Sequence, residues 1–358
     1  MSHHIPVATA VAPPAPLTHQ ASTGDITPEQ ERDMIVYLKE LQFPDGLART
    51  MVEAHRMYPL RIWIVDNSGS MSINDGKRLV GGGKVIRCSR WEELRETVFF
   101  HANFSASTRS HTSFRLLNNH PYEYAVGTPH PGTHESAAQL EKVNQAMRTG
   151  PAGGTPLCQQ VLAAANEIRQ MVPQLQAVGQ RCVLVIATDG QPSDGNLSVA
   201  LKQLERLPVL VIIRMCTDED DIVEYYNGVD SNLELSMDVL DDLRGEALEV
   251  TSVNPWLVYG DPLHKAREFG IHHKLFDLID ETTFSPGQIK EFCEFLLGTQ
   301  GGAELPHPEV DYEAFEKALQ HILQSTKKVR NPITGKTEPW INFSKLRKAC
   351  GKGGCSVM

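Results

Sequence analysis

Long apolar runs are missing from this sequence of 358 residues. The longest ones, at 182–187 and 209–213, have the length of strands. A helix that crosses a membrane needs about 20 apolar residues. A charged start followed by an apolar block is also missing, so we expect no secretory signal.

Basic residues are fewer than acidic ones. Lys and Arg total 34 against 44 Asp and Glu, which gives a formal net charge of −10. Because nucleic-acid binding needs a basic surface, we expect no nucleic-acid partner.

Cysteine is scarce as well, with seven residues and no paired spacing. This scarcity argues against a disulfide scaffold and favours a reducing, cytoplasmic setting.

What the chain does contain is an alternation of strands and helices from about residue 60 onward, which is typical of an α/β, doubly wound sheet. The apolar fraction of 41% is sufficient for a core. We divide the chain into a disordered lead-in (1–25), a helical pair packing on the next domain (26–58), the α/β domain (59–270), a helical C-terminal extension (271–325) and a polar, basic tail (326–358).

Two capping boxes and a glycine-rich turn predict local structure. Thr27 and Gln30 open the first helix, and Ser89 and Glu92 open another after a hairpin at 77–88. The helical pair at 26–58 could alternatively be a ubiquitin-binding-like module. Further along, the sequence predicts a helix over 237–247 and the last strand over 248–252.

Oxygen-bearing side chains follow the predicted strands in three separate places. Asp66, Ser68 and Ser70 come directly after an apolar strand, Thr155 precedes a helix, and Asp189 ends another strand. The carboxyl ends of parallel strands are where open α/β sheets bind ligands. Hydroxyl and carboxylate oxygens are ligands that Mg²⁺ prefers, and Mn²⁺ or Ca²⁺ are alternatives. These residues are our candidate metal ligands.

The pattern resembles the metal-ion-dependent adhesion site (MIDAS) of von Willebrand factor type A (VWA) domains. Its elements are Asp-x-Ser-x-Ser at 66–70, a Thr in Gly-Gly-Thr-Pro and an Asp in Thr-Asp-Gly. The resemblance covers about residues 60–269. It implies a Rossmann-like, mostly parallel sheet with one antiparallel edge strand, which we place at 122–126. It also implies that Ser68, Ser70 and Thr155 bind the metal directly, and that Asp66 and Asp189 bind it largely through water.

The function that this resemblance implies is non-enzymatic. The ion would capture a Glu or Asp carboxylate of a protein partner. Two alternatives stay open: a metal-dependent hydrolase, and an assembly module whose metal is purely structural.

Asp194 could orient the metal ligands by hydrogen bonding to them, or it could cap a turn. A phosphate-binding loop is excluded because Val85 follows Lys84 where a Ser or Thr is required.

The segment 72–88, which leads into the next helix, is longer than is usual in the family. Its hairpin carries the four basic residues that we expect to influence partner selectivity, namely Lys77, Arg78, Lys84 and Arg87.

The last four residues fit a prenylation motif, with Cys355 as the acceptor. Cys350 is a candidate for a second lipid, a palmitoyl group, and four basic residues lie upstream of Cys355. One lipid with a basic patch is sufficient for stable membrane attachment. We therefore expect contact with the cytoplasmic face of a membrane; the alternative is a chance cysteine near the end.

Overall fold

A six-stranded sheet lies at the centre of the protein, with packed helices on both of its faces. The computed structural model describes residues 26–80, 84–118, 123–127, 133–217, 219–230, 233–299 and 303–351. Within these ranges the strands are β1 (Leu60–Val65), β2 (Gly76–Val80), β3 (Lys84–Cys88), β4 (His111–Leu116), β5 (Glu123–Val126), β6 (Cys182–Thr188), β7 (Val209–Met215), β8 (Met237–Leu240), β9 (Val329–Arg330) and β10 (Thr337–Glu338).

The α-helices of the described residues flank this sheet and extend beyond it at both ends of the chain. They are α1 (Pro28–Glu40), α2 (Asp45–Met57), α3 (Arg90–Thr108), α4 (Thr133–Arg148), α5 (Leu157–Ala177), α6 (Leu197–Leu201), α7 (Asp220–Asp230), α8 (Leu243–Val253), α9 (Asp261–Phe269), α10 (Lys274–Asp277), α11 (Pro286–Leu297), α12 (Tyr312–Ser325) and α13 (Phe343–Ala349).

The strand order is β5-β4-β1-β6-β7-β8. Only β5, at one edge, runs antiparallel to its neighbour; the other strands of this sheet are parallel. The prediction of a Rossmann-like α/β sheet with one antiparallel edge is therefore confirmed. In the register, Val65 lies opposite Leu116 of β4 and Ala187 of β6. The residues that follow β1 and β6 thus meet at one edge of the sheet.

Strand β1 is buried along its whole length. Ile62 and Ile64 face one apolar core, and Trp63 and Val65 face the other. Alternate side chains of a strand point to opposite faces, and helices cover both faces here, so each face requires apolar residues. This explains the continuous apolar run from Ile62 to Val65.

Two sequence-based predictions are wrong in the region after β7. The expected helix over 237–247 begins with the edge strand β8, and the expected strand over 248–252 lies within α8. Asp242 separates the two elements, because its carboxylate accepts hydrogen bonds from the backbone N–H groups of Arg244 and Gly245 at 2.8 and 2.6 Å. Short apolar segments do not distinguish strand from helix by periodicity alone, and this helix cap is the signal that was missed.

The predicted hairpin is present as β2 paired antiparallel with β3. It lies against α3, where the Glu93 carboxylate accepts a hydrogen bond from the Lys77 backbone N–H at 2.9 Å. Ser89 and Glu92 form the expected capping box at the start of α3. The hairpin is thus attached to the first helix of the α/β unit, close to the end of β1.

The N-terminal helices share one apolar core with the sheet and the C-terminal helices. The Thr27 capping box forms as expected, and α2 contacts α9 and α11. The buried Arg61 of β1 strengthens this attachment by donating hydrogen bonds to the carbonyls of Ala54, Tyr58 and Phe269 at 3.3, 2.9 and 2.9 Å. The apolar residues of the helical pair are consequently used in packing. The lead-in, 1–25, lies outside the described residues.

A buried histidine joins α2 to the sheet. His55 is only 5% exposed, and its Nδ1 lies 2.7 Å from the hydroxyl of Ser110. Burial, with the nearby charges of Arg61 and Arg56, lowers the pKa of His55 to about 4. The imidazole is therefore neutral in the folded protein at neutral pH.

This pKa predicts an acid-sensitive attachment of α2. As pH falls from about 6.5 to 4, the unfolded chain binds a proton at this histidine before the folded protein does, so stability falls, by at most about 1.4 kcal/mol per pH unit. Urea unfolding between pH 7.5 and 4.5 should show a shallower loss for His55→Gln than for the wild type. The control His321→Gln, on the exposed face of α12, should follow the wild type. Equal slopes for all three proteins would refute the assignment.

Candidate metal centre

The candidate ligands after β1 and β6 lie side by side. The backbone N–H of Asp66 donates to the carbonyl of Ala187 at 2.9 Å, which continues the pairing of the two strands to their ends. Asp66 and Asp189 are 0% and 3% exposed. Two carboxylates are therefore buried at the carboxyl edge of the sheet, where their negative charge must be offset.

The oxygens of three candidate ligands form a connected group. The hydroxyls of Ser68 and Ser70 are 3.0 Å apart, and the Ser70 hydroxyl donates to Asp189 Oδ1 at 2.8 Å. Adjacent ligands of an octahedral Mg²⁺ are separated by ~2.8–3.0 Å, because each lies ~2.0–2.1 Å from the ion and they meet at right angles. The spacing of these oxygens fits the edges of such an octahedron.

Asp66 is fixed by two hydrogen bonds. The Thr188 hydroxyl donates to its Oδ2 at 2.6 Å, and the Ser68 backbone N–H donates to its Oδ1 at 2.8 Å. Burial raises the pKa of Asp66, and these hydrogen bonds oppose the rise by stabilising the charged form. The carboxylate is therefore held in one orientation at the bottom of the site.

The loop that carries Thr155 is bonded to both of the other loops. The Gly69 N–H donates to the Gly153 carbonyl at 3.0 Å, which connects this loop to the one after β1. The Thr155 N–H donates to the Ser193 hydroxyl at 3.1 Å, and the Ser193 N–H donates to the Thr155 carbonyl at 2.8 Å. The structure thus brings the three loops with all five predicted ligands to one edge of the sheet.

Asp194 acts as a helix cap. Its carboxylate accepts hydrogen bonds from the backbone N–H groups of Cys158 and Gln159, at 3.0 and 2.8 Å, in the first turn of α5. A negative charge is favoured at a helix N-terminus. Asp194 therefore fixes the start of the helix that follows Thr155.

Sequence reasoning missed Arg90, the first residue of α3. Its side chain is 2% exposed, and its Nη1 donates to Asp189 Oδ2 at 3.0 Å. The same guanidinium contacts Asp75 and Glu219. Although burial opposes its charge, the hydrogen bonds to these carboxylates raise the pKa of Arg90. The available signal was a cation at a helix N-terminus, where positive charge is unfavourable unless it is paired.

The hairpin cations are engaged within the protein. Arg78 Nη1 lies 3.0 Å from Glu96 of α3, and Arg87 Nε donates to the Asn74 carbonyl at 2.6 Å. The Lys77 ammonium lies 3.8 Å from Asp242. These contacts attach the hairpin to its surroundings. The side chain of the fourth predicted selectivity residue, Lys84, lies outside the described residues.

The structure describes one of the two predicted lipid sites, Cys350. Cys355 lies outside the described residues. Cys350 follows α13 and is 5% exposed, and burial raises the pKa of its thiol to about 11. A palmitoyl group on Cys350 would require this end of the helix to move, which disfavours that prediction. No helix in the described ranges is both long and apolar enough to cross a membrane.

A second acidic group lies on α8 and just after α10. One carboxylate oxygen from each of Glu246, Glu249 and Asp280 lies within 4.8 Å of the others. Arg267 already pairs with two of them, at 2.5 Å from Glu246 and 2.8 Å from Asp280. Burial raises the pKa of Glu246 to about 8. The guanidinium of Arg267 therefore already balances the charge of this acidic group. We assign it no metal ion.

No protein-family profile and no curated protein matches the chain. Among solved structures, the chain is similar to the crystal structure of the SpRpn10 VWA domain, with 11% sequence identity and a TM-score of 0.33. The similarity covers 51% of this chain and 86% of that domain. The fold class given above rests on the strand order and helices of this protein itself.

The Thr188–Asp66 hydrogen bond predicts a measurable contribution to stability. Thr188→Val keeps the shape of the side chain but leaves a buried carboxylate oxygen without its donor, which should lower the free energy of unfolding by about 1–3 kcal/mol in EDTA. Urea denaturation measures this loss. Thr299→Val, at an exposed position after α11, should change stability little. If both variants unfold at the same urea concentration, the hydrogen bond does not support the site.

Proposed function

We propose that this protein binds Mg²⁺ at the edge of the sheet and uses the ion to capture a carboxylate of a protein partner, as a MIDAS does. The observation that carries the proposal is the oxygen group formed by Ser68, Ser70 and Asp189, with separations of 3.0 and 2.8 Å. Asp66 and Thr155 lie in the loops bonded to this group.

The ligand chemistry supports a small, hard cation. Hydroxyls of Ser68, Ser70 and Thr155 would contribute neutral oxygens, and the two carboxylates would contribute charge. Mg²⁺ accepts such oxygens and retains several waters. Mn²⁺ suits the same oxygens. When bound, the ion would supply a positive centre that attracts an acidic ligand.

The surroundings of the site support access by a partner. Ser70 is half-buried, whereas Gly69 and Gly153, which are joined by a backbone hydrogen bond, are exposed. Ile73, which follows the 3₁₀ turn Gly69–Ser72, is 44% exposed. An exposed apolar side chain three residues after Ser70, with its backbone N–H bonded to the Ser70 carbonyl, would give a protein partner contact area in addition to the ion.

The hydrogen bonding of the two carboxylates favours binding over catalysis. Asp66 is held by Thr188 and the Ser68 N–H, and Asp189 by Arg90 and Ser70. A metal-assisted hydrolase needs a base that is able to take a proton from water. Carboxylates committed in this way are poorly suited to that role.

Attachment to the cytoplasmic face of a membrane through a prenyl group on Cys355 also belongs to this proposal. It rests on the Cys-Ser-Val-Met motif and on the basic residues before it.

Metal binding can be tested with MgCl₂ alone. Calorimetry should detect binding to the wild type, and Mg²⁺ at 100 times its Kd should raise the free energy of unfolding by about 2.7 kcal/mol. Asp66→Asn should lose both effects because the site loses one of its two charges. Asp194→Asn is the matched control, since that carboxylate caps α5 instead of facing the ion. Unchanged Mg²⁺ affinity in Asp66→Asn would exclude the site as described.

Carboxylate capture can be tested by selecting from a displayed peptide library in Mg²⁺. The selected peptides should each need one Glu or Asp, and exchanging it for Gln or Asn should abolish binding. EDTA should release them, because the ion is the proposed contact. Peptides that bind equally well in EDTA would support a purely structural metal. Hydrolysis of the peptides, lost in Asp189→Ala, would support the enzyme alternative.

A further inference from the structure

Each carboxylate of the candidate metal centre has its Oδ2 held by a side chain that is not itself a candidate metal ligand. Thr188 donates to Asp66 Oδ2 at 2.6 Å, and Arg90 donates to Asp189 Oδ2 at 3.0 Å. The other oxygen of Asp189 accepts from Ser70 at 2.8 Å, on the side of the ligand group. Asp189 therefore presents Oδ1 to the site and keeps Oδ2 turned toward α3.

The position of Arg90 is itself fixed. Its Nε and Nη2 form a forked pair with the two oxygens of Asp75, at 2.9 and 2.6 Å. Nη2 also contacts Glu219 Oε1 at 2.5 Å. Such forked pairs between guanidinium and carboxylate are geometrically specific. Because the side chain is also buried, Arg90 cannot release Asp189 without giving up these contacts.

Because Arg90 holds Oδ2 of Asp189, only Oδ1 is available to an ion, and this affects which cation binds the site. Mg²⁺ requires near-octahedral geometry and takes one oxygen from a carboxylate, whereas Ca²⁺ takes six to eight oxygens and often both from one carboxylate. We propose that Arg90 is a specificity-determining residue: by holding Oδ2 it leaves only Oδ1 of Asp189 for the ion, directly or through a water, and it denies Ca²⁺ a carboxylate that binds with both oxygens, which favours Mg²⁺. This inference rests on the proposed function, because it concerns the same site.

Two simpler roles of Arg90 make different predictions. As a source of charge, Arg90 repels every divalent cation, and its removal would tighten Mg²⁺ and Ca²⁺ binding to a similar extent. If Arg90 served only to connect the loops, its removal would weaken the binding of both Mg²⁺ and Ca²⁺. The ratio of the two dissociation constants separates the proposed role from these, because the two ions carry the same charge and use the same loops.

The test measures Kd for Mg²⁺ and for Ca²⁺ by calorimetry on the full chain. We expect the wild type to prefer Mg²⁺. Arg90→Gln should shift the ratio toward Ca²⁺ by about tenfold, which is on the scale of the affinity changes caused by mutating residues that hold metal ligands. Arg90→Lys should shift it less, since one ammonium can still hold Oδ2. Glu219→Gln is the matched control: it removes a carboxylate from the guanidinium but leaves the Asp189 contact, so the ratio should stay unchanged.

The outcomes separate this inference from the proposed function. If the wild type binds Mg²⁺ and Arg90→Gln leaves the ratio unchanged, the metal site stands and the role of Arg90 is refuted. A wild type that prefers Ca²⁺ also refutes it. If the wild type binds neither ion, both proposals fail. Circular dichroism in EDTA checks the fold of each variant; if Arg90→Gln does not fold, an unchanged ratio in Arg90→Lys refutes the inference.

Discussion

The burial of Asp66 just after β1 is the constraint on which the carboxyl edge of the sheet depends. A buried carboxylate is unfavourable unless donors surround it, and Thr188 and the Ser68 N–H provide them here. Asp189 brings a second negative charge to the same place, and Arg90 offsets part of it. The loops after β1 and β6 and the start of α3 are therefore arranged around two charges. The same arrangement leaves a group of oxygens suited to a cation.

The helix that begins with Arg90 extends this polar arrangement into the interior. One face of α3 carries buried or half-buried polar side chains at intervals of three and four residues, which is the spacing of one helical face. Its members and their partners are Arg90 with Asp189, Glu93 with Arg214, Thr97 with Lys265, and His101 with Glu268. Since the partners lie just after β6 and on β7 and α9, this face joins the candidate metal centre, the sheet and α9. This row of polar side chains would lower the stability of the fold if any member lacked its partner.

The N-terminal helices are attached through a different buried cation. Arg61 points into the core from the central strand and donates to three backbone carbonyls, while its guanidinium lies 3.3 Å from the centre of the Phe269 ring. Burial lowers the pKa of Arg61 to about 9. Carbonyls of α2 and α9 thus satisfy one side chain of β1. The helical pair and the sheet are consequently parts of one packed unit.

Sequence alone determined the class of fold and the five candidate ligands, because buried parallel strands need continuous apolar residues and the ligand motifs are local or flanked by glycines and prolines. It also located the hairpin and the capping boxes. It misplaced β8 and α8, since short apolar segments fit either structure. The pairing of Arg90 with Asp189, 99 positions apart, was decided only by the tertiary structure. The charge of Arg90 is visible in the sequence, but its partner depends on which loops the sheet brings together.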